Sequence, residues 1–237
     1  MLREVIAVGV LLATTPAWAD YQCPVKPQDD VAVTAQQVVV SGSNGNLTIS
    51  PQGEMTFNGK PVQADQALRQ QAVAYQAALR SDLPWIDQGA RQRLETSRSA
   101  LDKVIVEKLG SDSHVRTRLA TLDSGLKTQM DRVIEHRDGG LYFHHAAIDQ
   151  VRADGEKLVQ NAMGGILQDS LNELGSSKSS GDNPLQALMG NLGGLQQSIR
   201  SEVSKQEKDF QAFGQQVCGK VGSLEQQRKV IWQQVSQ

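Results

Sequence analysis

Six apolar residues, Val115, Leu119, Leu122, Leu126, Met130 and Val133, step along the chain by 4, 3, 4, 4 and 3 positions. Intervals of three and four put side chains on one side of an α-helix, and the stripe they form is narrow. The same period runs from residue 64 to the end of the chain. Leu68, Ala72, Tyr75 and Leu79 predict a helix over 64–82, and Ile86, Ala90, Leu94, Leu101, Ile105 and Leu109 a second over 85–109. Asp82-Leu83-Pro84-Trp85 is the expected break between them, because proline disfavours helical geometry in the preceding residue and suits a new first turn. The opening stripe predicts a third helix over 114–137, closed by Gly139-Gly140. A fourth covers 144–174, with Ile148, Val151, Leu158, Ala162, Ile166 and Leu174. The last covers 195–235, where Gly214, Gly219 and Gly222 are candidate bends or breaks. Narrow stripes over helices this long point to an elongated hairpin or bundle rather than a globular enzyme.

Before residue 64 the period is two. Val31 and Val33, Val38-Val39-Val40, Leu47 with Ile49, and Met55 with Phe57 are separated by Ser43-Asn44-Gly45-Asn46, Ser50-Pro51-Gln52-Gly53 and Asn58-Gly59. Alternation bounded by turn chemistry predicts three or four short antiparallel strands, which need a cover for their apolar face. The fold class is therefore α+β, mainly α: an elongated helical hairpin or bundle with a small N-terminal antiparallel β-subdomain.

The ends of the chain indicate the compartment. Val5–Ala13 is a short apolar run followed by Ala17-Trp18-Ala19, the pattern of a cleaved export signal over 1–19, and the run is too short to span a bilayer. The expected location is the periplasm. Cys23 and Cys218 are the only cysteines. In an oxidising compartment they would pair, and chain entropy sets an upper limit of about 5 kcal/mol for so long a loop; two separate buried thiols are the alternative. The expected organisation is a signal over 1–19, a β-subdomain over 20–62 and a helical domain over 63–237 with a flexible Ser-rich linker at 175–183.

Formal net charge is −2, and removal of the signal, with one Arg and one Glu, leaves it there. Such a balance gives no electrostatic footprint for nucleic acid and no basic belt for anionic lipid. The chain has no P-loop, no dinucleotide-binding glycine signature, no nucleophile elbow and no H-E-x-x-H, so no cofactor is expected. Ser124-Gly-Leu-Lys127 matches S-x-x-K without its companion motifs. His136, His144 and His145 fall within ten residues, and Asp149 follows His145 by one helical turn. Those four could hold a divalent metal if His136 returned across the glycine turn; otherwise they are solvent-facing or cap-adjacent residues.

The most unusual segment is Asn183-Pro184-Leu185-Gln-Ala-Leu188-Met189-Gly-Asn-Leu192-Gly193-Gly194, directly after the serine run. Asn183 caps and Pro184 opens a short helix that Gly193-Gly194 would end, with Leu185, Leu188, Met189 and Leu192 on one side. A second glycine-apolar patch, Ala162-Met163-Gly164-Gly165-Ile166-Leu167, lies inside the fourth helix. Two arrangements follow. Either the short helix folds back onto Gly164-Gly165 and closes the bundle, or its face stays open to a lipid, a peptide or another protein.

Taken together, "ADYQCPVKPQDDV", "LRSDLPWIDQGA", "LYFHHAAIDQVRADGEKLV", "NAMGGILQDSLNELG" and "KQEKDFQAFGQQVC" resemble the YggN family of uncharacterised proteobacterial envelope proteins. The resemblance covers nearly the whole chain and implies a periplasmic location; it carries over no catalytic residue. The expected role is a soluble, non-enzymatic, chaperone-like envelope accessory that presents the apolar helix at 184–195 to a partner. Two alternatives are a metal-dependent hydrolase at His136, His144, His145 and Asp149, and a purely structural spacer.

Overall fold

A computed structural model of the chain describes residues 23–176 and 184–236, with side chains over 23–173 and 193–236. The expected export signal and most of the expected linker lie outside the described residues. Five strands come first: β1 (Asp29–Val33), β2 (Val38–Gly42), β3 (Gly45–Ile49), β4 (Met55–Phe57) and β5 (Lys60–Pro61). Asn58 and Gly59 both take positive φ, as the two-residue hairpin turn between β4 and β5 requires. Helix α1 (Gln66–Leu109) follows, capped by the Asp65 carboxylate on the Leu68 N–H at 2.8 Å, and then α2 (His114–Val133), capped by Ser113.

The chain then departs from its expected course. The third helix stops at Val133 instead of continuing to 137, and Ile134–Arg137 (β6) and Gly140–Phe143 (β7) form a hairpin. This hairpin joins the N-terminal strands, β7 pairing with β1 through Val31–Phe143, Ala32–Tyr142 and Val33–Leu141. The resulting sheet has seven antiparallel strands in the order β5-β4-β3-β2-β1-β7-β6. Asp138 and Gly139 hold the positive φ values of its turn. Helices α3 (Ala147–Ser176) and α4 (Pro184–Val235) complete the molecule.

Two further breaks expected from the sequence do not occur. Pro84 sits inside α1, which runs unbroken through it. The missing amide costs about 3 kcal/mol in a helix interior. Packing on both sides outweighs it: Leu79 and Leu83 before it lie in the sheet core, and Trp85 after it stacks at 5.2 Å on Phe213 of α4. Likewise Gly193-Gly194, Gly214, Gly219 and Gly222 all lie within a continuous α4, none with the positive φ that ends a helix. Each interior glycine costs only about 1 kcal/mol relative to alanine, which tertiary contact can offset.

The main core lies against one face of the sheet. Val31, Val33, Val38, Val40, Leu47, Ile49 and Met55 point inward and meet Leu68, Ala72, Tyr75, Leu79 and Leu83 of α1 with Leu224, Ile231 and Trp232 of α4. A smaller cluster sits at the other end of α1, where Ile105 packs with Val115, Leu119 and Ile166. The molecule is thus a sheet head joined to a helical arm.

Side-chain pairs fix the register along the arm. Gln71 meets Gln234, Asp82 meets Lys220, Arg93 meets Asp209 and Ser97 meets Gln206, so α1 and α4 run antiparallel. Arg116 meets Asp102, and Arg118 meets Asp169, which aligns α2 and α3 with the same axis. Extending these registers, the end of α1, the start of α2 and the end of α3 lie level with residue 194 or so of α4. The turns of α4 before that point reach beyond the other three helices, by about 15 Å at 1.5 Å per residue. Among the described residues no helix is long and apolar enough to cross a membrane.

Candidate functional site

The four histidine-region candidates do not converge. Strand alternation separates them: in β6, Ile134 and His136 lie on the α1 side of the sheet, Ile134 buried and His136 exposed beside it, and Glu135 and Arg137 lie on the other side. His136 Nε2 lies 2.8 Å from Oδ2 of Asp87 on α1, a carboxylate that is almost fully buried and is also held by Arg91 at 2.9 Å. The contact pins the hairpin to α1 beside a shallow groove of about 400 Å³ lined by Pro84, Gln88 and the hairpin turn. A buried carboxylate orienting an imidazole can set up a general base. Here the lining of the groove holds no hydroxyl or thiol nucleophile.

His144 and His145 fall on the opposite, solvated face. The Asp30 carboxylate accepts from the His145 backbone N–H at 2.9 Å and lies 2.6 Å from His145 Nδ1. His144 stands between two carboxylates, with Nδ1 3.7 Å from Asp30 and Nε2 3.3 Å from Glu135. Burial disfavours the Asp30 charge, but the two hydrogen bonds from His145 outweigh it and hold this carboxyl below its ordinary range. Because His144 offers opposite ring nitrogens to its two acids, one ion could not draw on both contacts. Asp149 turns elsewhere, to Lys26 at 3.6 Å and Arg152 at 3.9 Å. Among the described residues no group of three or more His, Cys, Asp or Glu is placed to hold a metal ion. Sequence reasoning missed Asp30 and Asp87, whose histidines are far away in the chain, and Glu135, which meets His144 across the β6–β7 hairpin.

Ser124 and Lys127 are not a pair either. Lys127 Nζ goes to Asp123 at 2.7 Å and to Glu95 at 3.3 Å.

The arm presents a different surface. Met163, Leu167 and Leu171, four residues apart on α3, are 40%, 37% and 49% exposed. Residues i, i+4 and i+8 share one side of a helix, so these three make a continuous apolar strip. The neighbouring sides of α3 are occupied: Ile166 and Ser170, beside the strip, are buried, and on the far side the Arg118 guanidinium lies across Gly165 while paired with Asp169. Between α2 and α3 runs a groove of about 570 Å³, lined by Thr117, Thr121, Leu122, Leu158, Asn161 and Ala162 among others. The fold-back of a short helix onto Gly164-Gly165 is replaced by a continuous α4. Among the described residues nothing approaches a Cβ at Gly164 within 4 Å, and Gly165 is closed by Arg118 from α2. Leu185, Leu188, Met189 and Leu192 belong to the part of α4 that overhangs the other helices, and their side chains lie outside the described residues. Cys23 and Cys218 form a disulfide, with 5.6 Å between their Cα atoms.

A family model described as "Protein of unknown function (DUF2884)" matches residues 23–237. Curated relatives named "Uncharacterized protein YggN", from Escherichia coli strain K12 and from Escherichia coli O157:H7, are each 55% identical over 234 residues, covering 98% of this chain and 98% of theirs. No solved structure matches the chain.

Proposed function

From the premise that this chain belongs to the DUF2884 family, together with the YggN proteins, we propose that it is a non-enzymatic, chaperone-like accessory protein of the bacterial periplasm. It holds apolar stretches of non-native polypeptide against the far end of its helical arm. The observation that carries this reading is the exposed strip Met163–Leu167–Leu171. Flexible methionine and leucine side chains adapt to varied apolar partners, and a continuous exposed apolar strip is uncommon on a surface with nothing to bind. The proposed contact surface continues onto Leu185, Leu188, Met189 and Leu192 on the overhanging turns of α4. The signal-like sequence pattern at 1–19 and the Cys23–Cys218 bridge support the location.

A polypeptide partner is preferred to a lipid surface. The strip is flanked on its own helix by Gln160, Gly164 and Gln168, with no basic residue among them to meet an anionic headgroup. The test is light scattering from a denatured model protein diluted into buffer with and without the purified mature chain. The oxidised wild type is expected to suppress scattering at near-equimolar ratio. Leu167→Asp with Leu171→Asp should lose at least half of that effect while the protein stays folded by circular dichroism, because neither side chain belongs to a buried cluster. Full protection by the double variant would overturn the reading.

A further inference from the structure

Residues 23–28, between the disulfide and β1, form an extended strap with two prolines, Pro24 and Pro27. Its side chains alternate: Cys23, Val25 and Pro27 face the protein, and Pro24, Lys26 and Gln28 face solvent. Along α4 the strap meets Cys218 by the disulfide, then Gly222, where Val25 lies 3.8 Å from the position a Cβ would take. At its end, Asp29 meets Arg228 at 2.8 Å. Residues 218 and 222 are one turn apart on the same side of α4, and Arg228 follows on the flank of that side. The Asp82–Lys220 pair places Cys218 level with Trp85 of α1, just past Leu83, the last residue of that helix in the head core, and this is the junction between the head and the arm.

Two observations set this strap apart from an ordinary loop. Among the described residues, none of its backbone groups takes part in a loop or turn hydrogen bond with other backbone. Besides the disulfide and the packing of Val25 at Gly222, the strap makes an exposed Lys26–Asp149 pair, and such pairs contribute little. What lies at its end is a buried polar cluster. Asp29 and Arg228 are 3% and 6% exposed, and Glu225 joins Arg228 at 3.0 Å. Neither oxygen of Asp29 has an aligned hydrogen-bond donor, and the Trp232 indole N–H has no acceptor. Buried polar groups that are paired but not fully hydrogen-bonded make a region costly to keep closed.

We infer that the strap is a redox latch: the half-buried Cys23–Cys218 bridge holds the head–arm junction closed, and its reduction frees residues 23–28 and loosens the junction while both cores stay folded. The reductant is a dithiol. Its thiolate attacks one sulfur of the bridge, and the other cysteine leaves as a thiolate that takes up a proton. The second thiol of the reductant then displaces the first cysteine, which is protonated in turn. Two electrons and two protons reach the protein, and the reductant ends as its own disulfide.

The latch is independent of the binding role proposed above. Its test is hydrogen exchange with mass spectrometry on the full mature chain, oxidised and after dithiothreitol, with circular dichroism on the same samples. Reduction should speed exchange at least tenfold in peptides covering the strap at 23–28 and the α4 turns it crosses at 214–222. Peptides covering 101–133 should be unchanged and helicity kept. Cys23→Ser with Cys218→Ser, without reductant, should reproduce the reduced pattern. Exchange that rises throughout, with loss of helicity, would make the bridge a general staple and overturn the latch. Unchanged exchange at the junction would overturn it too.

Discussion

The head and the far end of the arm are built from the same residue types to opposite ends. In the head, fifteen buried residues from four strands and two helices form one cluster, and Val38, Val40, Leu47, Ile49, Ala72 and Ile231 have no exposed surface. At the far end the buried apolar cluster among the described residues is Ile105, Val115, Leu119 and Ile166, with Leu195 also buried, and α3 turns three large apolar side chains outward. Buried apolar area is the dominant favourable term in folding, so the head is where stability is concentrated. Apolar residues at the far end are spent on surface, where they contribute little to folding and are free to contact something else.

That contrast can be broken most severely in the head. Arg228→Met leaves the Asp29 carboxylate buried without its cation. Removing one member of a buried pair costs about 3–5 kcal/mol, and urea unfolding of the oxidised protein should show a loss of that size. A loss below about 1 kcal/mol would mean the head tolerates the bare charge.

Two glycine substitutions sharpen the comparison along the arm. At Gly89 a Cβ would fall 2.6 Å from the Phe213 ring, and overpacking costs about 1–3 kcal/mol against a helix-propensity gain of about 1. Gly89→Ala should therefore destabilise by about 1 kcal/mol, read from the denaturation midpoint. At Gly164 the Cβ meets nothing among the described residues, so Gly164→Ala should stabilise by about 0.5–1 kcal/mol. Opposite signs from the same change would separate packed from open helix surface; equal signs would not fit the structure.

The smallest effect is a pH dependence where the hairpin joins the head. The folded-state pKa of Asp30 lies below its ordinary 3.8, so the native protein binds this proton less readily than the unfolded chain. Its contribution is present in full above the ordinary carboxylate range and is lost as pH falls through the depressed folded value. Asp30→Asn should flatten the acid limb of the stability–pH curve below about pH 4. Chemical denaturation at pH 3 and pH 7 checks this, and an unaltered acid slope in the variant would contradict it.

The helices and the first strands were legible in the sequence because period and turn chemistry act locally. Leu68 to Leu79 and Val115 to Leu119 carry their helical spacing openly, and Asn58-Gly59 marks its hairpin. The β6–β7 hairpin was not legible, because Met130 and Val133 continue the helical stripe up to its first residue. Only the edge of β1, a hundred residues earlier, makes 134–143 a pair of strands. Pro84 and Gly193-Gly194 misled for a related reason. Their local costs are real, but contacts from other parts of the chain decide whether a helix continues. The histidines were grouped by closeness in sequence, and a strand sends neighbours to opposite faces, so His136 and His144 end up on different sides of the sheet. The apolar strip on α3 was half visible: the patch 162–167 stood out, but Leu171, which extends it, could not be separated from a core residue without knowing which side of the helix α2 covers.

The proposed division of labour, a folded head and an adhesive arm, is tested most directly by mapping where a bound chain lies. Hydrogen exchange of the oxidised protein, with and without a saturating unfolded polypeptide, reports both regions in one experiment. The expected result is slowed exchange in peptides spanning 160–173 and no change in those spanning 38–57. Protection over the sheet with none on α3 would contradict the account.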